Sequence, residues 1–121
     1  MKTLTTAEEE IMQHLWDLQE STIAMIIDRI KAPKPAYNTV STIVRILENK
    51  GFVNYRKEGR GHIYFPLVSK EDYSSATAKK FASNYFKGSY KSMVSFFMQQ
   101  EDLSVSDLEE LLEEINKNKK S

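Results

Sequence analysis

Between positions 38 and 45 the chain carries side chains suited to reading the edges of base pairs: Asn38, Thr39, Ser41, Thr42 and Arg45. Asn can pair with adenine and Arg with guanine or a phosphate. Thr offers both a hydroxyl and a methyl that fits against thymine. Further on, Arg56, Lys57, Arg60 and His62 surround Gly59 and Gly61. The glycines let a tight turn approach a backbone closely, and the cations would contact phosphates or carry Arg60 into a minor groove. Each group has a plainer reading. Asn38 or Thr39 could be the N-cap of a solvated helix, and the basic turn could be an exposed loop in which Arg56 or Lys57 protects a sheet edge. Charge distribution favours DNA. The chain is neutral overall, yet residues 29–62 hold eight Lys/Arg against two Glu, a local charge of +6, between acidic ends. Such a face attracts phosphate whatever the total.

Other chemistries lack their residues. With no cysteine and only His14 and His62, disulfides, thiolates and the usual metal sites have no ligands. His14 reads as surface or interfacial packing. No phosphate-cradling glycine loop and no nucleophile–base constellation is present, so neither an enzyme nor a cofactor is expected. The first ten residues, MKTLTTAEEE, lack the apolar stretch of a signal peptide. No window reaches the roughly 18 apolar residues of a membrane span. A cytoplasmic protein without membrane insertion is the expectation.

The elements that must position these groups follow from periodicity. Thr5 and Glu8 have capping-box spacing, and Ile11, Met12, Leu15 and Trp16 recur at helical intervals, which predicts a helix from about Thr6 to Leu18. Ser21 and Thr22 offer a cap for a short second helix carrying Ile23, Ile26, Ile27 and Ile30. Pro33 and Pro35 end it. Val40, Ile43, Val44 and Leu47 give a third helix, about Tyr37–Lys50, whose opposite face presents Asn38, Thr42, Arg45 and Asn49. Gly51 suits its left-handed end. The period then changes to alternation: 53–57 and 62–65 read as strands joined by 58–61, closed by Pro66.

From Ser69 the pattern is again helical. A long helix ending near Gly88 carries Tyr73, Ala76, Phe81, Tyr85 and Phe86. A shorter one carries Met93, Val94, Phe96 and Phe97, and a last one, capped from Ser104, carries Leu108, Leu111, Leu112 and Ile115. About 50 residues seldom close a core alone, so these side chains need a covering surface. The first domain could supply it; a second copy of the chain is the better candidate, making Phe81, Tyr85, Phe86, Met93, Phe96, Phe97, Leu108, Leu111, Leu112 and Ile115 dimerisation residues. The fold expected is mainly α (α+β): a winged helix-turn-helix over 1–68, three helices plus a β-hairpin wing, followed by a three-helix dimerisation domain over 69–121. A winged-helix protein-interaction module that does not read DNA is the alternative, although on the third helix only Ile46 gives such a module an apolar contact.

The ordered fragments Leu4-Thr5-x-Ala7-Glu8, Trp16, Thr39-Val40-x-Thr42, Lys50-Gly51, Gly59-Arg60, Tyr64-x-Pro66-Leu67-Val68, Phe86-x-Gly88-Ser89, Val94-x-Phe96 and Leu103-Ser104-x-x-Asp107-Leu108 run through almost the whole chain. In that order and spacing the sequence resembles the bacterial penicillinase repressors, a family that also controls methicillin-resistance and copper-transport genes. The resemblance implies a homodimer that represses genes from palindromic operators on double-stranded DNA. Thr39 and Thr42 would lie on its reading helix and Gly59-Arg60 on its wing. In the antibiotic-resistance members a membrane sensor-peptidase acts indirectly, through cleavage within the dimerisation helices. That implies a regulatory site at Ser95–Phe96, with Ser95 where the family usually has Asn. Pro35-Ala36 stands where many members have Trp-Ser, and the cysteine cluster of the copper-responsive members is absent.

Overall fold

A computed structural model describes residues 1–100 and 103–119, which divide into two compact units, 1–76 and 77–121. In the first unit, helix α1 (Thr6–Leu18) begins at a closed capping box. The Glu8 amide donates to Thr5 Oγ1 at 3.2 Å and the Thr5 amide to Glu8 Oε1 at 3.1 Å, so two amides that a helix start would otherwise leave unpaired are satisfied. The buried Glu8 carboxylate also accepts from Lys50 Nζ at 2.6 Å, which ties the start of α1 to the end of the third helix. Thr22 caps α2 (Ile23–Arg29), accepting from the Met25 amide. Past its end Lys34 Nζ donates to the carbonyls of Ile27, Asp28 and Ile30, where a cation suits the helix terminus.

Helix α3 (Tyr37–Asn49) closes at Gly51, whose φ of +83° is the left-handed conformation glycine supplies. Strands β1 (Val53–Glu58) and β2 (Gly61–Pro66) pair antiparallel from Val53↔Pro66 to Glu58↔Gly61. Each strand runs one residue further toward the turn than alternation predicts. The loop shrinks to Gly59-Arg60, with a left-handed φ at Gly59 alone, as a two-residue hairpin of the II′ kind requires. Ser21, in the turn before α2, exchanges two backbone hydrogen bonds with Tyr64 and so pins the hairpin base to the helices.

The core gathers Ile11, Met12 and Leu15 of α1, Ile23 and Ile26 of α2, and Val40, Val44 and Leu47 of α3, closed by Leu4, Phe52 and Val53. Ile43, expected among the buried stripe, is only half-buried. Trp16 lies at the rim and donates to the Val68 carbonyl at 2.8 Å. Helix α4 (Lys70–Phe86) starts within this unit, because Tyr73 is buried against Trp16 and Phe52 and its hydroxyl donates to Glu9. The compact unit therefore extends past residue 68 to Ala76.

The second unit holds the rest of α4, α5 (Tyr90–Met98) and α6 (Val105–Lys119). Ser89 caps α5 and Ser104 caps α6, the latter reciprocated by Asp107. Six helices and one two-stranded sheet are described, a mainly α winged-helix architecture. Among the described residues no helix is long and apolar enough to cross a membrane.

Candidate nucleic-acid interface

Helix α3 is sharply two-sided. Its N-cap is Ala36, which makes no side-chain hydrogen bond, so Asn38 and Thr39 are not consumed in capping and both stand exposed in the first turn. One turn on, Thr42 Oγ1 donates to the Asn38 carbonyl at 2.8 Å. Its proton is thus engaged and its oxygen is left as an acceptor, which matches the exocyclic amines of cytosine or adenine. Arg45 is exposed and has no hydrogen bond or ion pair among the described residues.

A cleft of about 600 Å³ separates α3 from the hairpin. Tyr37, Ser41, Arg45 and Glu48 form its helix wall, and Tyr55, Arg60, His62 and Tyr64 its hairpin wall. Arg60 too has no partner among the described residues. Two guanidiniums without an ion pair among the described residues therefore line one cleft, one on each wall. Pleating explains the hairpin wall: Tyr55 and His62 are diagonal neighbours on one sheet face, their rings stacked at 4.4 Å, and Tyr64 lies opposite Tyr55 at 5.7 Å. Burial, and after it the nearby Glu48 carboxylate, pushes the Tyr64 phenol up.

The same pleating turns Arg56 to the other sheet face, where its guanidinium is gripped by both Glu20 oxygens at 2.8 and 2.9 Å and reaches Glu58 at 3.3 Å. The hydrogen bonds from Arg56 hold the Glu20 carboxyl below its ordinary range, and Glu20 in turn raises Arg56. Of the cations expected on the wing, Arg60 and Lys57 are unpaired among the described residues, and Arg56 is already neutralised.

The profile of the family described as penicillinase repressor matches residues 4–117. The chain belongs to the penicillinase repressor family. The methicillin resistance regulatory protein MecI of Staphylococcus aureus (strain N315) is 32% identical over 115 residues, covering 94% of each chain. The penicillinase repressor of Bacillus licheniformis is 31% identical over 121 residues, covering 97% of this chain and 94% of its own. Among solved structures, the monomeric form of B. licheniformis BlaI in complex with the blaP half-operator superposes with a TM-score of 0.50 at 27% identity, over 60% of this chain and 89% of that one. Penicillinase repressors are transcriptional regulators and not enzymes.

Relative to the residues expected for such a repressor, the structure brings Ser41, Arg45 and Arg60 onto one cleft and sets Asn38, Thr39 and Thr42 on the adjoining exposed face of α3. Tyr37 and Tyr55 were not anticipated. The first shares the i, i+4, i+8 stripe with Ser41 and Arg45, and the second alternates with Lys57. Either spacing was sufficient to find them. In the second unit Phe81 contacts Tyr85, Phe86 and Phe97, and Phe96 contacts Phe86 and Phe97. Yet Phe81, Tyr85, Phe96, Phe97, Leu111, Leu112 and Ile115 remain exposed, Tyr85 at 71%. Phe86, Met93 and Leu108 are half-buried. The Ser95–Phe96 bond lies inside α5 with both residues exposed. His14 accepts from Arg29 Nε at 3.2 Å, a surface role.

Proposed function

We propose that this protein is a homodimeric transcriptional repressor of β-lactam-response genes. Each α3 reads one half of a palindromic operator, and each hairpin holds the neighbouring backbone. The observation that carries this is the pair of guanidiniums, Arg45 and Arg60, without partners among the described residues and lining one cleft beside the exposed Asn38, Thr39 and Thr42. A surface evolved for protein contact would present apolar groups there, whereas on α3 only Tyr37 and Ile46 are large, apolar and exposed. The half-operator bound by the BlaI relative supports the same reading. The exposed aromatic and aliphatic side chains of α4, α5 and α6 are the surface a second copy would cover, since monomers seldom leave so many large apolar groups in water. Relief of repression by a membrane sensor-peptidase, acting through cleavage at Ser95–Phe96, requires α5 to open first, because that bond sits within a hydrogen-bonded helix.

Gel shift with the full chain tests the reading. Thr42→Ala with Arg45→Ala is expected to weaken operator binding about 10- to 100-fold, in line with about 1–3 kcal/mol for a good base contact, while sedimentation still shows a dimer. An unchanged shift removes α3 as the reading element.

A further inference from the structure

The helix wall of the cleft between α3 and the hairpin carries one aromatic side chain, Tyr37. Tyr37 is the first residue of α3 and is 57% exposed. It has no hydrogen bond and no ring partner among the described residues. We propose that the cleft seats the sugar–phosphate strand lying between the major and minor grooves, and that Tyr37 donates its phenol hydroxyl to a phosphate there. This rests on the DNA-binding reading. If α3 lies in the major groove and the hairpin reaches the adjacent minor groove, one strand must pass between them. The walls match that strand chemically. The stacked Tyr55 and His62 rings offer a flat face to deoxyribose, and Arg45 and Arg60 offer charge from either side.

Glu48 fixes which end holds the phosphate. It lines the same cleft but lies eleven residues beyond Tyr37, about 16 Å along a helix rising 1.5 Å per residue. Its carboxylate repels phosphate, so the anion lies toward Tyr37 and Ser41. A phenol suits that place: it bonds any phosphate, reads no base, and being neutral displaces no counterion.

The test titrates the full-length chain against its selected operator and against unrelated duplex, by fluorescence anisotropy at several salt concentrations. Tyr37→Phe removes only the hydroxyl. It is expected to weaken both duplexes alike, by about 2- to 10-fold, as loss of one neutral hydrogen bond does, with the slope of log K against log salt unchanged. Arg60→Ala, for contrast, lowers the magnitude of that slope by about 0.9. Glu48→Gln is expected to tighten both complexes. Wild-type affinity for both duplexes in Tyr37→Phe overturns the phosphate contact, as does a loss confined to one operator base pair. If the wild-type chain binds no duplex at all, the DNA-binding reading itself falls, an outcome distinct from either of these.

Discussion

The two units treat their apolar residues in opposite ways. In 1–76 eleven aliphatic and aromatic side chains from Leu4 to Val53, with Tyr73, are buried together, and the exposed residues of α3 are mostly polar. In the described part of 77–121 only Ala82 is buried among the apolar residues, although phenylalanines and leucines lie along all three helices. The first unit has the buried set of an autonomous domain. The second has the composition of a core with much of its surface left open, as expected where closure comes from another copy.

That contrast can be broken most forcefully in the first core. Phe52→Ala is expected to destabilise by about 3–5 kcal/mol. Trp16, the only tryptophan and a rim residue of that core, reports the loss in denaturant unfolding. A shift under 1 kcal/mol would mean the core is not where burial places it. The matching change in the second unit, Phe97→Ala, is expected to weaken dimerisation by about 10-fold or more, as loss of an interface hot spot does, read by sedimentation over a range of protein concentrations. An unaltered dimer removes Phe97 from the interface. Smaller is the cap: Thr5→Ala should cost about 1 kcal/mol, measured by the same unfolding.

A pH dependence sharpens the first unit further. The Lys50 hydrogen bond, against the opposing effect of burial, holds the Glu8 carboxyl below the ordinary carboxylate range. The folded state then binds fewer protons than the unfolded state. Its contribution is present above the unfolded pKa, about 4.3 for Glu, and is lost as pH falls through the lower folded value. Glu8→Gln should flatten that acid limb of the stability curve; an identical limb in wild type and variant contradicts the pairing. The smallest effect concerns the wing. Glu20→Gln should leave DNA binding and the salt slope nearly unchanged, because Arg56 is engaged by Glu20 on the sheet face away from the cleft and not by phosphate. A changed slope would place Arg56 on the DNA.

Where signals are local the sequence was readable. The Thr5–Glu8 box and the stripe behind it give α1 its observed ends, and the glycines with alternating residues give the hairpin to within one residue per strand. The polar face of α3 was legible because its buried stripe fixes which way it points. What escaped depended on distant partners. Arg56 reads as a wing cation until the Ser21–Tyr64 bridge brings Glu20, 36 residues earlier, beside it. Tyr73 reads as the start of the second helical part, yet its ring completes the first core between Trp16 and Phe52. The cleft needed the register of Tyr55 with Tyr64, and the facing of α3, before its walls could be assembled.

The division of labour between the units can be tested in one measurement: selection of duplexes from a random DNA pool by the full-length chain. Enrichment of a palindrome, two inverted half-sites at fixed spacing, one for each α3 of a dimer, is expected. Enrichment of a single unrepeated half-site, or of no sequence, would contradict it.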